Sequence, residues 1–128
     1  MQKRCFSSPN SAPAGGPYSP AVAAGDLLFV SGQVPFARDG SGYAPGTFEE
    51  ELRRTLDNLK TVLEDAGSGM AHVVKTQVFL ADMAKFAEFN AIYQEYFPSE
   101  QPARTTIQPG QMPKGMQVEI DAIAVLPG

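Results

Sequence analysis

Apolar positions along this chain switch between two periods, and the switches predict the order of its elements. After a Ser-, Pro- and Gly-rich stretch (residues 7–17), two short apolar runs, roughly Ser19–Ala24 and Leu27–Ser31, are joined by Gly25-Asp26, a dipeptide suited to a hairpin turn. A Gly-rich loop over Asp39–Gly46 follows. Phe48, Leu52, Leu56, Leu59, Leu63 and Ala66 then recur at helical spacing. Thr47 and Glu50 form a capping box at the start of this helix, and Gly67 supplies its stop. Val73–Leu80 reads as a strand with Val74, Val78 and Leu80 on one side and Lys75 and Gln77 on the other. Asp82 is placed to cap a second helix, with a stripe of Phe86, Phe89, Asn90, Tyr93 and Phe97, ended by Pro98 and Pro102. Two β-like runs close the chain, one around Ala103–Ile107 and one over Met116–Val125.

The predicted order is β-β-α-β-α-β-β, a single α+β domain over residues 1–128 with residues 1–16 as a flexible N-terminal segment. Two helices cover only one face of such a sheet. In the last strand, Met116, Val118, Ile120, Ala122 and Ala124 share one side, yet the other still carries Ile123 and Val125 beside Glu119 and Asp121. A partly apolar second face on a small domain calls for cover, so a homo-oligomer with sites at subunit boundaries is expected.

Composition narrows the function classes. The net charge is −4 and Lys and Arg are scattered, which disfavours general nucleic-acid binding. One cysteine, Cys5, and one histidine, His72, exclude a disulfide framework and a thiolate–imidazole metal cluster. His72 reads as the end of a short surface turn. No secretory signal or membrane-length apolar run is visible, so a cytoplasmic protein without membrane contact is expected.

The candidate chemistry lies near the C-terminus. Arg104 sits on a strand among small or hydroxylated neighbours, Ala103, Thr105 and Thr106. A guanidinium offers five donors in a fixed fork and keeps its charge, which suits a planar carboxylate, although a structural ion pair with Glu119 or Asp121 fits the same residues. Glu119 and Asp121 project from one strand face about 7 Å apart, as an acid/base pair with a water between them or as two solvated carboxylates. Asn90, on the apolar stripe of the second helix, is expected to bond a loop backbone. Tyr18 and Ser31 read as pocket walls or turn residues.

At these residues the chain resembles the RidA/YjgF family of enamine/imine deaminases over nearly its whole length. The matching stretches are Gly16-Pro17-Tyr18-Ser19, Phe29-Val30-Ser31-Gly32-Gln33, Thr55–Lys60, Val73–Thr76, Val78–Met83 and Phe89-Asn90. The most diagnostic are Pro102–Thr106, Met112-Pro113-Lys114-Gly115 and Val118–Ala124. The resemblance implies a chorismate-mutase-like mixed sheet with two helices packed on one face, assembled as a homotrimer with clefts between subunits. It implies that Arg104 binds a substrate carboxylate and that Glu119 attends the water attacking the imine carbon. Tyr18, Ser31, Asn90 and the neighbourhood of Thr106 would line the cleft, with no metal or organic cofactor. The expected reaction is hydrolysis of short 2-imino acids, such as those arising from 2-aminoacrylate, to 2-keto acids and ammonia. Alternatives are a non-catalytic trimer binding keto acids and, less favoured by the charge balance, an endoribonuclease. Two positions depart from the family pattern: Pro20 where Gln is common, and Thr106 where Cys or another small residue is frequent.

Overall fold

A computed structural model describes all 128 residues. Its strands are β1 (Lys3–Phe6), β2 (Ala21–Ala24), β3 (Leu27–Gln33), β4 (Phe36–Ala37), β5 (Gly42–Tyr43), β6 (Val73–Leu80), β7 (Ala103–Ile107) and β8 (Val118–Val125). Helix α1 spans Phe48–Asp65 and α2 spans Phe86–Tyr96. Six strands form one sheet in the order β1-β2-β3-β8-β6-β7, while β4 and β5 make a separate small hairpin. Only β6 and β7 run parallel, as expected for strands joined through a helical crossover.

Most local signals act where the sequence places them, but Asp82 accepts from Ala84 N and caps the 83–85 turn, whereas α2 starts after Lys85 without a side-chain cap. Thr47 accepts from the Glu50 N–H while the Glu50 side chain accepts from the Thr47 N–H, so both members of the capping box are made. At the other end, Ser68 N donates to Leu63 O and Gly67 N to Glu64 O, with Gly67 at φ +88°, a Schellman closure. Gly25 takes φ +61° at the first central position of the β2–β3 turn, which pairs Ala24 with Leu27.

The core lies between the helices and one face of the sheet. Leu52, Leu56, Leu59 and Leu63 of α1 and Phe89, Ile92 and Tyr93 of α2 pack on Leu28, Val30, Val78, Leu80, Val118, Ile120, Ala122 and Ala124. Helix α1 also buries Glu51, which accepts from Tyr43 Oη, Gly46 N, Gln117 N and Gln117 Nε2 at 2.8–3.2 Å. This carboxylate ties the start of the helix to the segment leading into β8.

Several expectations need correction. Residues 3–6, given no strand in the sequence reading, form β1, pairing Lys3 with Ala24 and Phe6 with Ala21. The Gly-rich loop contributes β5, which pairs with β4 just ahead of the loop in a small hairpin. Val74 does not join Val78 and Leu80 in the core; the β6–β8 register shifts between Val73 and Lys75, leaving Val73 buried and Val74 46% exposed. The ion pair that the sequence allows between Arg104 and Glu119 or Asp121 is not made, because β6 lies between β7 and β8.

The second face of the sheet has no helix. It presents Leu27 and Phe29, each more than 40% exposed, together with Ile107, and beside them the half-buried Ile123 and Val125. No helix is long and apolar enough to cross a membrane.

Candidate functional site

Sheet register assigns each polar side chain to a face. Arg104 pairs with Thr76, and Thr76 pairs with Ala122; both partners are buried beneath the helices, so Arg104 is on the helix-covered side. Glu119 pairs with Phe79 and Asp121 with Gln77, which places the two carboxylates on the bare side. The sequence-predicted residues therefore fall into two groups on opposite faces.

The first group surrounds Arg104. Asn90, Tyr93, Gln94, Gln101, Pro102 and Arg104 line an open concavity. The Arg104 guanidinium has no carboxylate partner; the ion pairs of the chain are those of Arg53 with Glu49 and Glu95. Instead it lies near three aromatic rings, Tyr93 at 5.0 Å, Phe89 at 5.2 Å and Phe86 at 5.6 Å. Because β7 is an edge strand, this group opens past the end of the sheet. Asn90 Oδ1 and Thr106 Oγ1 are both buried without a hydrogen-bond partner. The expected bond from Asn90 to a loop backbone is thus not made. A buried polar atom left unpaired costs about 1–3 kcal/mol; Asn58 Oδ1, on α1, is in the same state.

The second group is Tyr18, Ser31, Gly32 and Glu119, which line an open depression of about 570 Å³. A register shift in β3 between Val30 and Gln33 turns Ser31 and Gly32 out of the ladder toward Glu119. Ser31 Oγ donates to Ser19 O at 2.7 Å and keeps its acceptor capacity. Tyr18 Oη accepts from Gly15 N at 3.1 Å, leaving its own hydrogen free to donate. Gly32 has a packing reason: a Cβ there would meet Glu119 Oε2 at 2.5 Å, so only glycine lets the carboxylate lie against the backbone.

Burial pushes the Glu119 carboxyl above its ordinary range, and the Asp121 charge adds to the rise. Burial likewise raises Asp121, opposed by a hydrogen bond from the Gln77 backbone and by the Lys75 charge. A carboxylate raised in this way holds and releases protons more readily near neutrality than a solvated one.

Three rings around Arg104 were missed as site residues. Phe86, Phe89 and Tyr93 were read as a packing stripe, and their helical spacing is the same whether they cover a core or an arginine. Gly32 was visible within a matching stretch but had no role assigned.

The chain is an α+β domain with an unpaired arginine at one sheet edge and a half-buried carboxylate on its bare face. The family model described as endoribonuclease L-PSP matches residues 9–126, and the chain belongs to this family, the RidA/YjgF family. The protein mmf2, described as mitochondrial, from Schizosaccharomyces pombe is 45% identical over 86% of this chain and 88% of its own. The solved structure of RidA from an Antarctic Psychrobacter superposes with a TM-score of 0.90 at 31% identity, covering 95% of this chain and 98% of the other. E. coli TdcF with bound serine gives a TM-score of 0.88 at 32% identity, covering 95% and 98%.

Proposed function

We propose that the protein hydrolyses short 2-imino acids to 2-keto acids and ammonia, in sites shared between copies of the chain arranged as a trimer. The observation that carries this reading is the Arg104 guanidinium, unpaired and flanked by the unpaired Asn90 Oδ1 and Thr106 Oγ1. The bound serine of the TdcF relative supports it, since serine carries the same α-carboxylate and α-nitrogen as a 2-imino acid.

The two polar groups face opposite ways within one chain, so the working site takes Arg104 from one copy and Glu119 from the next. The bare face, with its exposed Leu27, Phe29 and Ile107, supplies the apolar surface for that contact. Arg104 forks onto the substrate carboxylate and fixes the imine carbon, which lowers the entropic part of the barrier. The Glu119 carboxylate takes a proton from a water as its oxygen bonds to that carbon. The protonated Glu119 passes that proton to nitrogen, giving the carbinolamine; the carboxylate then takes the hydroxyl proton and delivers it to nitrogen as the C–N bond breaks, so ammonia leaves and the carbonyl forms. Imines already hydrolyse in water, so positioning and one proton relay are sufficient chemistry.

The test is keto-acid release from an imine generated in situ by a serine/threonine dehydratase. Arg104→Ala is expected to lower kcat/KM about a hundredfold or more. An unchanged rate removes Arg104 from the mechanism. A binding-only role also fits a serine-bound relative; it predicts that Glu119→Gln leaves the protein's function intact, whereas hydrolysis predicts lost turnover with retained keto-acid binding. The nuclease description of the family model meets an acidic chain with one histidine, so RNA cleavage is expected to be absent after repurification.

A further inference from the structure

The rings around Arg104 differ in how they are held. Phe89 is fully buried and fixed by packing, while Phe86 is 38% exposed. Tyr93, whose ring centroid is nearest the guanidinium, is the one with a polar anchor: its Oη lies 2.8 Å from Thr76 Oγ1, and both residues are buried. Thr76 is the direct register partner of Arg104 across the β6–β7 ladder. The anchor of the ring and the root of the arginine therefore stand side by side on adjacent strands. Tyr93 is further wedged between Phe89 and Phe97, with centroid separations of 5.2 and 4.6 Å.

A free arginine side chain carries rotamer entropy that a ligand must overcome on binding. A carboxylate neighbour would restrain it, but would also occupy its donors and cancel its charge. An aromatic ring attracts the cation through its quadrupole and uses no N–H, so all five donors stay available. We infer that Tyr93, locked by Thr76, is a positioning residue that holds the unpaired Arg104 ready for a carboxylate. The inference rests on the proposed role of Arg104 as the substrate anchor. Burial also raises the Tyr93 phenol, against the opposing effects of the Thr76 bond and the Arg104 charge, so the ring stays neutral and offers no competing anion.

The experiment measures kcat and KM on an imino acid generated in situ by an amino-acid oxidase, with inhibition by 2-oxobutanoate and by its neutral amide. Tyr93→Leu is expected to raise KM about tenfold with kcat within about twofold, because anchoring acts equally on ground and transition states. Inhibition by 2-oxobutanoate should weaken by the same factor while inhibition by the amide holds, a selectivity that a general loss of packing would not produce. Because Tyr93→Leu can unfold the chain, a milder cycle decides independently. Tyr93→Phe and Thr76→Val should each raise KM about two- to fivefold, and the double variant no further, since both break one bond. Unchanged KM in Tyr93→Leu with an active wild type, or multiplying effects in the cycle, overturns the inference and leaves the role of Arg104 standing. A wild type that neither turns over imine nor responds to 2-oxobutanoate overturns both.

Discussion

Arg104 and Glu119 occupy opposite faces of one sheet, with β6 between their strands. Two strand spacings alone separate their backbones by about 10 Å, and their side chains then diverge further. No rotamer change brings them together within one protomer. Chemistry that uses both, as proposed, takes them from two copies, and the uncovered apolar face is where the second copy is expected to bind.

The bare face is expected to be the assembly surface. Phe29, 43% exposed beside Ile123 in the β3–β8 register, lies on it. Phe29→Glu would bury a charge against apolar side chains of a neighbour, a change that such contacts tolerate poorly. Size-exclusion chromatography with light scattering should show protomers in place of oligomers, and imine turnover should fall with them. An oligomer that survives the charge locates the interface elsewhere.

Glu119 must be ionised to take a proton from water, so activity should rise with pH through its raised titration. Burial is the larger cause of that rise and the Asp121 charge the smaller. Asp121→Asn removes the like charge, and the acidic limb of the kcat/KM profile should move to lower pH without reaching that of a solvated carboxylate. The same shift bears on stability: the folded protein holds more protons than the unfolded chain between the ordinary and raised values. Stability therefore falls as pH rises through that window, and Asp121→Asn should lessen the fall, as read by urea titrations at several pH values.

Gly32 carries a sharper expectation than its neighbours. An added methyl would sit 2.5 Å from Glu119 Oε2, and the glycine has no positive φ that would confound the result. Gly32→Ala should displace the carboxylate and lower kcat about tenfold to a hundredfold. Thermal unfolding should change little, because the carboxylate lines an open depression into which its side chain can swing. Equal losses of activity and stability would point instead to a general collapse of the β3 bulge.

Glu51 illustrates a polar group that serves the fold. Its four hydrogen bonds bring Tyr43, Gly46 and Gln117 to the start of α1. Glu51→Ala would leave four part-buried donor groups without their acceptor and should cost about 2 kcal/mol in urea unfolding. A loss below about 1 kcal/mol would mean that water replaces the carboxylate freely.

The sequence made local features legible because their causes are local. Thr47 with Glu50, Gly67 after the helix and Gly25 in the hairpin each act within a few residues, and each does so in the structure. Arg104 and Glu119 stand out as candidates from residue type alone. Their relation was hidden, because a period of two tells which side chains share a face within one strand but says nothing about which face a distant helix covers. β1 went unread because Lys3-Arg4-Cys5-Phe6 is a short, charged edge run with a single apolar anchor, Phe6. The rings that meet Arg104 were visible as a stripe, yet the strand beneath that stripe is set by the crossover from β6 to β7.

Mixing two inactive variants tests the shared site most directly. Arg104→Ala and Glu119→Gln chains should each be inactive as homo-oligomers. Co-assembled in equal amounts, they should recover about a quarter of wild-type turnover, because one junction in four then joins an intact Arg104 to an intact Glu119 on different chains. Mixed oligomers, verified by mass, that stay as inactive as their parents would contradict a site divided between copies.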